Sequence, residues 1–281
     1  MTPKDILLHL RIPFSFFLMP VYWFAISQTP NLDKEKAFWI FIILHIFIYP
    51  ASNAYNSYFD KDEGSIGGLE KPPAVDKKLF WVSWVIDVLA VIICFVVLDW
   101  VFALMIFVYG LVSKAYSDDR IRLKKYPILS WFIVGLFQGA FTYFSIIMVF
   151  DKNIDSLKMQ LLPASISTLM LWAVYPMSQI YQHEEDTKRG DKTMSILLGI
   201  KGTFVFTAIL FSVAFAGFFY YFTENEFIIL SLFNLPTLAF FGWWFLKTLK
   251  NENQANFKNT MWLNLLASVC LNGFYIWLCI K

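Results

Sequence analysis

The chain has 281 residues, of which 58% are apolar or aromatic and only 16% charged, with Phe alone occurring 31 times. So few charges exclude a disordered or a nucleic-acid-binding chain, and the apolar excess is more than a soluble domain of ordinary composition carries. The formal net charge of +2 acquires meaning only through where the cations fall, because orientation in a bilayer follows the Lys and Arg asymmetry of the loops.

Nine apolar runs follow one another, each long enough to cross a hydrocarbon core as a helix. The first, 6–27, is too long for the apolar stretch of a secretory signal and contains Arg11, so it is read as a retained span. The second, 37–59, ends in a polar and acidic segment. The third and fourth, 79–99 and 101–117, meet at Asp99-Trp100 with almost no loop between them. Then come 128–150, 160–182 with a second acidic segment at its end, 203–222, 227–247 and 260–280. The expectation is an all-α, polytopic membrane bundle of nine transmembrane helices forming a single domain over residues 1–281.

With the N-terminus inside, all but five of the 23 Lys and Arg fall on the inner side, the exceptions being Lys34, Lys36, Lys152, Lys158 and Lys281. This bias predicts an integral multi-pass protein of the cytoplasmic membrane, N-terminus in and C-terminus out. Cys94, Cys270 and Cys279 lie in apolar runs without CxxC spacing, which argues for three small buried residues and against a disulfide framework or zinc site.

The end of the second run reads Asn53-Ala54-Tyr55-Asn56-Ser57-Tyr58-Phe59-Asp60-Lys61-Asp62-Glu63. Asn53, Asn56 and Asp60 are spaced i, i+3, i+7 and share one helical face near its end. With Asp62 and Glu63 they offer the oxygen donors that a hard divalent cation prefers. The end of the sixth run reads Gln182-His183-Glu184-Glu185-Asp186-Thr187-Lys188-Arg189-Gly190-Asp191-Lys192-Thr193. Gln182 and Asp186 again stand one turn apart, and Glu185 and Asp191 follow closely.

Four crossings separate the two segments, so both emerge on the same side. Carboxylate clusters held together repel and raise one another's pKa values unless a cation intervenes. Mg2+ takes one or two protein carboxylates and completes its shell with water and phosphate oxygens, which suits so sparse a donor set. Lys71, Lys114, Arg122, Lys124, Lys188 and Lys192 supply charge for phosphate. An oxygen-rich, basic mouth above an aromatic bundle points to a phosphorylated lipid. His183 is given no catalytic role, and His9 and His45 are expected to pack or to hydrogen-bond inside their spans.

These residues resemble the UbiA-type intramembrane prenyltransferases over essentially the full chain. That family carries N-D-x-x-D-x-x-x-D after span two, matched here by Asn56 and Asp60, with Ser57 and Gly64 departing from it. Its second motif, of D-x-x-x-D type, is matched by Asp186, Gly190, Lys192 and Thr193, with Gln182 in place of the first Asp. Tyr116-Ser117 followed by Arg122, Leu123 and Lys124 is similar to the family's segment after span four. Asp62 and Glu63, or Glu70 further on, are the candidates to replace the missing carboxylate by a shift of register; without that shift the site would hold fewer cations or bind them weakly.

The resemblance implies a polyprenyl diphosphate donor, a lipophilic acceptor, a surrounding of membrane lipid, no nucleic acid, and Mg2+-assisted loss of diphosphate. Asn56, Asp60 and Asp186 are the expected catalytic residues. Asp62, Glu63, Gln182, Glu185 and Asp191 join them as metal ligands, while Lys71, Arg122, Lys124 and Lys192 bind the diphosphate. Two other readings stay open: an intramembrane terpene cyclase, and a non-catalytic lipid-binding or transport relative.

Overall fold

The computed structural model describes residues 1–281. Nine helices are long and apolar enough to span a membrane. They are α1 (Pro3–Ser27), α2 (Lys34–Asp60), α3 (Lys77–Val97), α4 (Trp100–Ser117), α5 (Pro127–Phe150), α7 (Leu161–Gln179), α9 (Met194–Tyr221), α10 (Glu224–Lys250) and α11 (Phe257–Ile280). Two short helices, α6 (Ile154–Met159) and α8 (His183–Lys188), lie in connections. The nine expected spans all appear within a few residues of their predicted limits, except that α9 begins nine residues earlier and is kinked at Gly199, whose φ of 68° is left-handed.

Polar residues between the apolar runs set where helices start. Asp33, Asp76 and Asp99 each accept backbone N–H bonds from the first turn that follows, at 2.7–3.2 Å, relieving the unpaired donors of a helix N-terminus. Asp99 thereby begins α4 only two residues after α3 ends.

Besides the kinked α9, three spans are irregular, and proline accounts for two of them. In α1 the chain leaves the helix at Arg11 (φ 47°) and continues as a 3-10 turn over Ile12–Leu18, around Pro13. In α2 a π turn over Ile43–Ile48 precedes Pro50, where the missing N–H prevents a regular ladder. In α5 a π turn over Phe137–Phe141 frees the Ala140 N–H, which donates to Thr168 Oγ1 of α7 at 2.9 Å. A Cβ on Gly139 would come within 2.6 Å of the Thr168 Cα, so only glycine permits this approach of α5 to α7.

The chain divides into two compact units. The first comprises Met1–Phe16, Thr29–Lys124 and Ser145–Lys152. Its interior joins Ala51, Ala54 and Tyr55 of α2 to Leu79 and Ala90 of α3 and Ile106 of α4, all buried. The second comprises Phe17–Gln28, Lys125–Phe144 and Asn153–Lys281. There Met177, Ile180, Phe204, Trp244 and Leu263 form one core cluster, and Phe24 stacks on Tyr275 at 4.6 Å between centroids. Exposed Phe95, Val96, Phe219 and Ile228 leave the spans with apolar outer faces suited to lipid.

His45 sits between the rings of Phe41 and Tyr49, and His9 Nε2–H donates to the Pro73 carbonyl at 2.8 Å, as expected of packed or hydrogen-bonded histidines. Cys94 and Cys270 are buried as expected, whereas Cys279, expected to be buried too, is exposed in the last turn of α11.

Candidate functional site

α2 ends at Asp60 because Lys61 takes a left-handed φ of 49°, its N–H closing on the Ser57 carbonyl at 3.0 Å. The segment after α4 also turns sharply. Arg122 has φ 49°, Leu123–Lys125 forms a 3-10 turn, and Tyr126 is extended ahead of Pro127, as the residue before a proline must be. The turn sends Lys124 inward and leaves Lys125 exposed. Lys124 Nζ meets Asp60 Oδ1 in an ion pair whose two members are only 6% and 8% exposed.

One turn before Asp60, the Asn56 Oδ1 accepts from the Ser117 hydroxyl at 2.5 Å. Beside it, Asp118 receives the Tyr55 hydroxyl at 2.9 Å, both Nε and Nη2 of Arg120 at 2.9 Å, and the Arg120 N–H at 3.0 Å. The Arg120 guanidinium holds the Asp118 carboxyl well below the usual carboxylate range. Arg122 Nη1 donates to Asp119 at 2.5 Å. Asp62 is half-buried and Glu63 exposed on the turn beyond α2, and Lys71 is exposed.

Two expectations are corrected here. Asn53 does not share a site face with Asn56 and Asp60: its Nδ2 donates to the Leu10 carbonyl at 3.3 Å, and its own carbonyl accepts from Arg11 at 3.2 Å. The break in α1 swings that guanidinium toward α2, and it also reaches the Gly67 carbonyl at 3.1 Å. Lys114 is not available to phosphate, because it is 4% exposed and paired with Asp87 inside the spans. Asp87, like Arg11, is a charge inside an apolar run, which is itself a sequence signal of a buried partner.

The second acidic segment is not a continuation of the sixth span. α7 stops at Gln179, three residues short of Gln182, and α8 begins afresh at His183. Gln182 precedes α8 and its carbonyl accepts the Asp186 N–H at 2.9 Å, so the two remain one turn apart. Glu185 and Asp186 are half-buried, Asp191 is 2% exposed, and Lys192 is exposed. The left-handed Gly190 (φ 74°) folds the chain back so that the Asp191 N–H reaches the Asp186 carbonyl at 2.9 Å. Lys188 instead pairs with Glu184 at 2.7 Å, both exposed.

His183 anchors α8, its Nε2 lying 2.7 Å from the Ser195 hydroxyl. Burial lowers its pKa below 6.5, so the unfolded chain binds more protons and stability rises with pH across that interval. The contribution is intact above about pH 6.5 and lost progressively below it. The thermal midpoint in detergent is expected to fall between pH 7.5 and pH 5.5, and to fall less in His183→Gln. Equal pH dependence in both proteins would clear His183.

No group of three or more His, Cys, Asp or Glu side chains is gathered into a protein-only metal cage. A hard cation that keeps water and phosphate ligands does not require one. Asp60 supplies a carboxylate whose second oxygen lies outside the Nζ–Oδ1 contact with Lys124, and the Asn56 carboxamide oxygen has a second lone pair beyond the one Ser117 uses, so these hard oxygen donors fit Mg2+.

The profile of the UbiA prenyltransferase family matches residues 15–266. The chain belongs to that family. Solved structures share its fold. A UbiA homologue from Archaeoglobus fulgidus bound to GPP and Mg2+ superposes with a TM-score of 0.71 at 14% identity, covering 99% of this chain and 100% of the other. A digeranylgeranylglyceryl phosphate synthase gives 0.63 at 17% identity, with 99% of each chain covered. The apo UbiA homologue from Aeropyrum pernix K1 gives 0.69 at 14%, covering 94% and 98%. No curated protein sequence matches the chain. As a UbiA family member with nine apolar helices, it is an integral membrane protein.

Proposed function

We propose that this UbiA family member is a prenyltransferase that moves a prenyl group from a polyprenyl diphosphate to a lipophilic acceptor, with Mg2+ assisting the loss of diphosphate. The observation that carries the reading is the buried Asp60–Lys124 pair. It keeps a carboxylate and an ammonium, the two charges that a metal–diphosphate headgroup needs, at the end of an apolar helix and shielded from water. The Archaeoglobus relative, solved with GPP and Mg2+, supports the same assignment.

In this reading Lys124 would bind a phosphate oxygen of the substrate and Asp60 would hold the cation. Asn56 and Asp186 are the other principal metal-linked groups, with Asp62, Glu63, Gln182, Glu185 and Asp191 behind them. Lys71, Arg122 and Lys192 add positive charge toward the diphosphate. The chemistry a bound divalent cation supplies is neutralisation of charge on the leaving diphosphate.

When the C–O bond breaks, the electron pair departs with diphosphate and the allylic fragment becomes cationic. Faces of Phe, Tyr and Trp stabilise that cation by about 0.5–2 kcal/mol each. The acceptor's nucleophile then forms the new bond, and its proton passes to a carboxylate or to diphosphate. The Lys and Arg distribution supports a cytoplasmic-side site, N-terminus inside, in the cytoplasmic membrane.

The test is incubation of purified protein in lipid with a panel of prenyl diphosphates, lipophilic acceptors and Mg2+. Diphosphate release that requires both Mg2+ and an acceptor, with a prenylated product, is expected. Release without acceptor and with a cyclised product would make the protein a terpene cyclase. Binding without release would make it a non-catalytic relative.

A further inference from the structure

Asp87 lies in the middle of α3, in an otherwise apolar stretch, and is 9% exposed; Lys114 of α4, 4% exposed, pairs with it. Such a pair gains little net stability, because desolvating two charges offsets most of their attraction, and apolar replacements of like volume are often tolerated. Its surroundings point to another role. The Lys114 ammonium donates to Ser83 Oγ at 3.2 Å and lies 4.8 Å and 4.7 Å from the ring centroids of Tyr55 and Trp84. Ser83 in turn donates to the Ala51 carbonyl of α2 at 2.9 Å. Room for the carboxylate exists because position 110 is glycine, where a Cβ would stand 3.2 Å from Asp87 Oδ2.

The contacts converge around Asn56. Tyr55, its neighbour in sequence, gives its ring to Lys114 and its hydroxyl to Asp118. Asn56 takes its hydrogen bond from Ser117. Lys114, Ser117 and Asp118 occupy the end of α4 and the residue after it. α4 therefore grips α2 at three points within two consecutive residues. The ion pair ties this end of α4 to α3, since any shift of α4 would carry the ammonium away from its carboxylate into apolar surroundings.

We infer that Asp87 and Lys114 are a positioning pair, which acts through Tyr55 and the last turn of α4 to hold the Asn56 carboxamide in register for the metal–diphosphate headgroup. The inference rests on the prenyltransferase reading. Neither residue touches substrate in this scheme.

The experiment uses the full-length protein in lipid and compares wild type with the charge-free double variant Asp87→Leu/Lys114→Met. Two quantities are read: the thermal midpoint, and Mn2+ binding followed by electron paramagnetic resonance in the presence of inorganic pyrophosphate. The double variant is expected to keep a midpoint near wild type, and its half-saturating Mn2+ is expected to rise about tenfold or more, the usual cost of losing an outer support of a metal ligand. Wild-type Mn2+ affinity in a folded double variant would overturn the inference.

If the double variant does not fold, Tyr55→Leu decides the matter, because it leaves the ion pair in place and removes the link to Asn56. It is expected to weaken Mn2+ equally, and unchanged affinity there would overturn the inference. Failure of the underlying reading is distinct: wild type itself would then bind no Mn2+ with pyrophosphate and release no diphosphate.

Discussion

Asp60→Asn is expected to lower Mg2+-dependent diphosphate release by about 10²–10³-fold, the usual loss when one charge-stabilising group is removed from a reacting centre. The same substitution leaves Lys124 buried, at 6% exposure, without its carboxylate. Stranding one partner of a buried pair costs about 3–5 kcal/mol in general, and Asn, which retains volume and an acceptor oxygen, falls at the lower end. Loss of activity would therefore coincide with loss of stability and prove little alone. The double variant Asp60→Asn/Lys124→Met removes the stranded charge together with a proposed diphosphate-binding group, so it reads stability apart from the stranding penalty and tests the two residues as a unit. Its thermal midpoint should return toward wild type while diphosphate release stays low. Recovery of activity together with stability would show that Asp60 supports the fold and not the chemistry.

Asp186→Asn should give a loss of the same order by the opposite balance of effects. Asp186 is half-buried in the first turn of the six-residue helix α8, where a carboxylate near the helix N-terminus contributes only about 0.3–1 kcal/mol. The variant should fold with a thermal midpoint close to wild type and still fail to release diphosphate at ordinary Mg2+. Wild-type release would remove Asp186 from the mechanism. The pair of results also discriminates between the two acidic segments: one is embedded in a buried ion pair, the other is carried on a short helix that contributes little to stability.

Both aspartates were legible as candidates, since each lies in a cluster of oxygen donors just after an apolar run. The environment of each was not. Asn53 shared the i, i+3, i+7 spacing with Asn56 and Asp60, yet it faces Leu10 and Arg11. Periodicity identifies residues on one side of a helix over a wide arc, and the neighbouring helix decides which of them it takes. Lys114 looked like any other cation near a membrane surface. The flexible stem that would let a lysine reach solvent here carries its ammonium inward to Asp87.

The sequence by itself determined the nine spans and most of their ends, the start of α9 and the end of α7 excepted. An apolar run of this length has only one way to satisfy its backbone in hydrocarbon, and the capping residues at Asp33, Asp76 and Asp99 are local signals that need no tertiary partner. Only the tertiary structure decided which charges meet. Asp60 finds Lys124, 64 residues away, Asp87 finds Lys114, 27 away, and Arg11 finds the Gly67 carbonyl, 56 away. Those pairings depend on which helices pack together and at what depth, and on breaks at Arg11 and Gln179 that redirect the chain. A buried charge takes whichever opposite charge the packing brings within reach, and the sequence specifies the charge but not the neighbour.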